Sequence, residues 1–177
     1  MVRIGVIGIG KITVNSLFPA ISAAEGACLW SILSRDIEKA RRKATEFGAE
    51  SSKPAFDNLK DFLSDPKLDA VIVASPDKLH ARHSLAAIER GKHVFVEKPM
   101  ATSTADAKIM ITAARSAGVK LGVAYHMRWH AGHRKLSRRV WDGDYGEIQT
   151  VRAVWTFQSL NSTNWRAHDE LGKWWSL

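Results

Sequence analysis

Val2-Arg3-Ile4-Gly5-Val6-Ile7-Gly8-Ile9-Gly10-Lys11-Ile12-Thr13 is the stretch whose reading decides the fold. An apolar run of strand length enters two glycines one residue apart, and a helix-like pattern follows. Gly8 lets the chain leave the strand at backbone angles that a side chain would forbid. Gly10 lets the main chain approach a pyrophosphate with no Cβ in the way, and the N–H groups of the next helix then face that phosphate. Ile9, Lys11 and Ile12 complete the expected phosphate-side turn. The full pattern places a third glycine or alanine where this chain has Thr13, which predicts looser packing of helix on strand. A bare Gly-x-Gly also fits an ordinary tight turn, so the remainder of the chain must decide.

The 177 residues suffice for one sizeable core, or for one domain with part of another. An apolar fraction of 45% and a charged fraction of 25% belong to a soluble globular protein and speak against disorder. No run approaches the roughly 20 apolar residues of a membrane span, and a strand opens the chain without a charged leader. A cytoplasmic protein with no membrane partner is therefore expected. The one cysteine, Cys28, falls in a predicted buried strand and is expected to pack as a small apolar residue.

A formal net charge of +8 suits nucleic acid, an anionic surface or a phosphorylated ligand. The basic residues cluster twice. Lys39, Arg41, Arg42 and Lys43 read as a solvated helix face beside a possible phosphate site. Arg134, Lys135, Arg138 and Arg139 suit nucleic acid better, but they equally suit the wet side of a helix that turns Leu136 and Val140 inward, which makes a nucleic-acid partner the minor reading.

Strand and helix patterns alternate along the chain. Ile12 to Ala24 reads as a helix that Pro19 kinks or divides into two. Cys28 to Leu33 reads as a strand, Ile37 to Phe47 as a helix stopped by Gly48, and Asn58 to Ser64 as a short helix. Leu68 to Ala74 is the third strand, Leu79 to Arg90 a helix stopped by Gly91, and His93 to Val96 the fourth strand. A helix over Thr104 to Ala117, stopped by Gly118, precedes a fifth strand over Val119 to Tyr125. Strands that are apolar throughout and alternate with helices imply an α/β fold, a doubly wound parallel sheet covered on both faces. Ligands of such sheets bind beyond the carboxyl ends of the strands.

The segments beyond those ends carry the candidate chemistry. After the second strand, where an acidic residue would accept from a ribose 2′-hydroxyl, stand Ser34 and Arg35. A serine bonds a 2′-phosphate and a guanidinium pairs with it, so NADP is favoured over NAD. Arg35 also reads as a plain surface arginine, and Asp36, expected as the next helix's N-cap, could still reach a ribose. After the third strand come Ala74-Ser75-Pro76 and His80, after the fourth Glu97-Lys98-Pro99, and after the fifth Tyr125-His126-Met127-Arg128.

Together, Gly8-Ile9-Gly10, Ala74-Ser75-Pro76 with His80, Glu97-Lys98-Pro99 and Ala124-Tyr125-His126-Met127-Arg128-Trp129 resemble the glucose-fructose oxidoreductase, inositol dehydrogenase and MocA family of NAD(P)-dependent oxidoreductases. The resemblance runs over the whole chain. It implies a Rossmann domain over 1–121 and, over 122–177, the start of a second, open-sheet α/β domain for substrate and dimerisation. By resemblance Lys98 is the catalytic lysine, Ser75, Pro76 and His80 line the nicotinamide side, and Glu97 lies beside the cofactor. Arg128 matches the family's arginine after the fifth-strand turn. His126 stands where many members carry asparagine, and with Lys98 it is expected on the substrate side.

The chemistry can be argued from the residues as well. Hydride transfer between an alcohol carbon and nicotinamide needs a group that takes or gives the hydroxyl proton, and an ammonium stabilises the alkoxide forming between them. Lys98 suits that task, although a lysine there could equally pair with Glu97 or with solvent. A sugar, cyclitol or related polyol is the expected substrate, by resemblance. His83, His93, His130, His133 and His168 show no convincing ligand spacing, so no metal is expected.

Past Trp129 the pattern changes. Ala131 to Asp142 reads as a basic helix and Glu147 to Gln158 as a long half-exposed strand, with Val151, Ala153, Trp155 and Phe157 on one face. Six of the seven tryptophans follow Gly122, which predicts an exposed apolar patch unless a partner or a second copy covers it; a homo-oligomer is expected. The sequence ends at Leu177 before the Asp-x-Gly-x-His segment that the family resemblance implies, so cofactor binding is expected to survive better than turnover. Two other readings stay open: a non-catalytic NAD(P)-binding or regulatory module, and a basic nucleic-acid-interacting protein.

Overall fold

The computed structural model describes residues 1–154, which divide into a compact unit Met1–Tyr125 and a second unit that begins at His126. The first unit is a six-stranded parallel sheet flanked by helices. Strand β1 (Val2–Ile7) leads through a π-helical turn (Thr13–Leu17) into α1 (Phe18–Ala23), then β2 (Ala27–Leu33), α2 (Ile37–Glu46), β3 (Ala55–Phe56) and α3 (Leu59–Leu63). β4 (Ala70–Val73), α4 (His80–Glu89), β5 (His93–Val96), α5 (Thr104–Ser116) and β6 (Leu121–Val123) complete it.

The strand order β3-β2-β1-β4-β5-β6 reverses direction between β1 and β4, the place where a crevice opens in a doubly wound sheet. The registers Ile7 to Leu33, Ile7 to Val73, Val73 to Val96 and Val96 to Val123 bring the carboxyl ends of five strands level. Gly8, Ser34, Ala74, Glu97 and Ala124 therefore leave the sheet along one edge.

Successive residues of a strand face opposite sides, and the core divides accordingly. Val71 and Val73 join Phe62, Leu68, Val94 and Met110 on one face; Val6 and Ile72 join Phe18, Ile21, Ile32 and Ala40 on the other. Gly5 makes the first face possible, since a Cβ there would stand 2.5 Å from Phe62 Cζ and 2.8 Å from Leu68 Cδ1. The sheet's polar anchors lie at the opposite, amino end. Arg3 donates from Nε and a terminal nitrogen to Asp69 at 2.9 and 2.8 Å and holds that carboxyl down at about 2. Lys92 donates to the carbonyls of Asp65 and Leu68, and burial lowers its pKa. Cys28 is buried in β2, where burial pushes its thiol pKa up.

Several expectations need correction. Thr13 does not loosen the packing: it is fully buried, and its hydroxyl donates to the Gly8 carbonyl at 2.9 Å, so a β-branched residue fits where a small one is usual. Pro19 does not divide the first helical segment: it lies inside a continuous helical run over 11–23, just after the run passes from π-helix (Thr13–Leu17) to α-helix, an irregularity of the kind that accommodates a residue with no N–H. β3 went unread because it has two residues, yet its pairing with Ile32 and Leu33 adds a sixth strand.

In the second unit, α6 (Ala131–Trp141) forms as expected, but Leu136 and Val140 are not turned inward; they are 53% and 42% exposed. The strand expected from Glu147 is absent over 147–154, because alternation makes a strand only where a neighbouring edge supplies backbone partners. Its remainder, including Trp155 and Phe157, lies outside the described residues. Trp129 and Trp141 are well exposed, in line with the expected apolar patch.

Candidate functional site

At Gly8 the backbone takes φ +99°, and a Cβ would stand 2.7 Å from the Ala74 carbonyl oxygen and 3.0 Å from Ser75 Cα. The turn after β1 thus packs main chain to main chain on the loop after β4. Gly8 N–H donates to Leu33 O and Ala74 N–H to Ile7 O, both at 2.9 Å, which fixes the turn to both neighbouring strands. Around Gly10 the reverse holds: nothing lies within 4 Å of a Cβ built there, so the main chain stands open to an approaching group. Lys11 and Ile12 are exposed beside it, and Ile9 is buried.

One residue of this turn escaped the sequence reading. Lys39, on α2, reaches back and donates from Nζ to the Ile9 carbonyl at 2.9 Å. Its place in a run of basic helix residues masked it. The bond holds the glycine turn from the side of β2 and brings an ammonium to it.

After β2, Ser34 N–H donates to Phe56 O, and Ser34 Oγ accepts from Asp36 N–H at 3.2 Å. Asp36 caps α2, its Oδ1 accepting from Lys39 N–H at 2.9 Å. Arg35 is exposed. The edge after β2 therefore offers a hydroxyl and a guanidinium, while the nearest carboxylate is engaged with its helix.

After β4, Ser75 is held by two histidines on the first turn of α4. His80 is 1% exposed; its Nδ1 lies 2.6 Å from Pro99 O and its Nε2 2.8 Å from Ser75 O. His80 thus meets backbone in two loops, where the sequence reading set it along the nicotinamide side. His83 Nδ1 lies 2.9 Å from Ser75 Oγ. Burial, with Arg82 and His80 adding to it, lowers the His83 pKa from 6.5 to about 4. The ring is therefore neutral near pH 7.

This depression has a measurable consequence. The unfolded ring takes its proton near 6.5 and the folded ring only at about 4, so the stability it contributes is complete above 6.5 and lost as pH falls towards 4. Acidification across that window is expected to lower stability by on the order of 1–2 kcal/mol through His83, less than the full shift because solvent screens a half-buried ring. Denaturant midpoints at a series of pH values check it, and a His83→Gln chain with an unchanged slope refutes it.

After β5, Glu97 N–H donates to Val73 O at 2.8 Å, and Lys98 N–H lies 3.3 Å from Glu97 Oε2. Both residues are half-buried, and a cis peptide joins Lys98 to Pro99. The level strand ends place this pair beside the Ala74-Ser75 loop, which itself touches Gly8.

His126 and Arg128 fall in the second unit, in an exposed helical turn (His126–Trp129). There Arg134 lies over the Trp129 ring at 5.5 Å, and Arg139 Nε donates to Asp144 at 2.8 Å, so part of the basic cluster is engaged within its own unit. His130 and His133 stand ring to ring at 5.0 Å, and no three His, Cys, Asp or Glu side chains come together among the described residues. No helix among them is long and apolar enough to cross a membrane.

Residues 2–125 match the family described as "Oxidoreductase family, NAD-binding Rossmann fold". The 1,5-anhydro-D-fructose reductase of Ensifer adhaerens is 39% identical over 152 residues, which cover 86% of this chain and 44% of the reductase. Inositol 2-dehydrogenase 3 of Saccharopolyspora erythraea is 34% identical over 146 residues, 82% of this chain and 42% of that protein. Among solved structures, a 3-ketoreductase from Actinomadura kijaniata in complex with TDP-benzene and NADP superposes with a TM-score of 0.76 at 32% identity, over 84% of this chain and 46% of that one. The chain spans about half the length of the curated relatives it matches.

Proposed function

The chain belongs to the Gfo/Idh/MocA oxidoreductase family with its NAD-binding Rossmann fold, and from that premise we propose that it holds NADP across the Gly8 turn and serves hydride transfer to or from a sugar, cyclitol or related polyol. The observation that carries this reading is the level edge of the sheet. There the Gly8 backbone meets the loop after β4, and Lys98 follows the adjoining strand.

The residues present fit a dinucleotide. Gly8 is a position that only glycine fills, and Gly10 leaves room for a phosphate. Gly8 to Ile12 would hold the pyrophosphate, Ser34 and Arg35 the 2′-phosphate, and Ala74, Ser75, Pro76 and Glu97 the nicotinamide end. Bound nicotinamide supplies or accepts the hydride. In the reducing direction, Lys98 gives the carbonyl oxygen its proton as the carbon gains hydride, leaving a neutral amine; in oxidation it takes that proton back. Arg128 and His126, in the second unit, complete the reading on the cofactor and substrate sides. The names of the relatives support it: one reduces an anhydrofructose, one is an inositol dehydrogenase, and the 3-ketoreductase was solved with NADP. The exposed Trp129, Leu136, Val140 and Trp141 support a second copy of the chain as partner.

Titration with NADPH and with NADH, followed by tryptophan quenching, tests the cofactor. Ser34→Asp is expected to weaken NADPH about 10- to 100-fold, the loss of a charge-assisted hydrogen bond and the gain of a repelling carboxylate, and to spare NADH. Equal losses for both cofactors refute the assignment of the 2′-phosphate.

A further inference from the structure

The His80 ring is 1% exposed and faces two backbone oxygens, its Nδ1 2.6 Å from Pro99 O and its Nε2 2.8 Å from Ser75 O. A carbonyl oxygen only accepts, so a ring nitrogen that carries a proton donates to the oxygen it faces.

The two oxygens belong to different loops. Ser75 follows β4; Pro99 follows β5 and is the next residue after Lys98. No backbone hydrogen bond between these loops accompanies the two ring contacts beyond Glu97 N–H on Val73 O, at the strand ends. His83, one turn along α4 at a spacing that shares a face with His80, holds the Ser75 hydroxyl.

We propose that His80 is a positioning residue: it clamps the loops after β4 and β5 together and thereby sets the direction from which Lys98 enters the site. It acts through the Lys98-Pro99 segment. The inference rests on the reading of Lys98 as the proton-transferring group only for its use, since the clamp itself is a matter of His80, Ser75 and Pro99.

Two measurements on the chain as it stands test it. Reductive 13C-methylation labels the lysines, with Lys98 assigned by its loss in Lys98→Arg. Glutamine replaces the outer nitrogen and asparagine the inner one. His80→Gln, which gives up the Pro99 contact, is expected to shift the Lys98 resonance, and His80→Asn, which keeps a donor there, to leave it in place. A resonance unmoved in both, or moved alike in both, overturns the proposal, for a purely structural histidine would give no such split. NADPH titration of the unmodified chain keeps the two ideas apart: absence of binding overturns the functional reading, while a Lys98 resonance that answers to His80→Gln alone still upholds the clamp.

Discussion

Gly8→Val is expected to lower the melting temperature of the first unit by about 10 °C or more, or to leave it unfolded, a loss of at least about 3 kcal/mol. Two independent effects combine. At φ +99° an L side chain is strained, and a β-branched one most of all. The Cβ would also stand 2.7 Å from the Ala74 carbonyl oxygen, which is backbone and cannot swing aside as a side chain tip would. Nor can the turn retreat, because Gly8 N–H is bonded to Leu33 O and its carbonyl to Thr13 Oγ1. Gly10→Ala makes the control. Nothing lies within 4 Å of that Cβ, so the melting temperature should hold while NADPH affinity falls. Thermal melts followed by circular dichroism decide the matter; a Gly8→Val chain that melts within a few degrees of the unmodified one refutes the account.

Lys98→Ala is expected to lower hydride transfer by about 10²- to 10⁴-fold, the usual contribution of a placed proton donor, while NADPH affinity changes by no more than about threefold. Lys98→Arg should not restore the rate, since a guanidinium keeps its proton under any condition in which the protein is folded. NADPH consumption at 340 nm against a panel of ketosugars and oxidised cyclitols measures the first, and fluorescence titration the second. A rate that survives the substitution would favour the non-catalytic dinucleotide-binding module instead.

The sheet and the order of its elements were legible because they follow from local signals. Apolar runs closed by Gly48, Gly91 and Gly118, and the cap at Asp36, sit within a turn of the boundaries they specify. The residues along the carboxyl edge were legible for the same reason, since each follows a strand end. What stayed hidden depends on partners far away in sequence. β3 is defined by its pairing with β2 and not by its own two residues. Lys39 looked like one more solvated cation until α2 packed against β2 and brought its ammonium to Ile9 O. His80 was legible as a site residue by family resemblance, but its contacts, like those of His83, which no spacing set apart from other histidines, come from loops that meet only in the folded sheet. The alternation from Glu147 onward misled for the converse reason: periodicity states which face of a strand would be buried but does not supply the sheet.

Thr13 bears on how such turns are recognised at all. Its side chain is taken wholly into the core, and its hydroxyl ties off the Gly8 carbonyl. The third place of the fingerprint is then a condition on space and on one oxygen, not on residue identity. A pattern search that admits only glycine or alanine there passes over chains that meet the same condition with a hydroxyl.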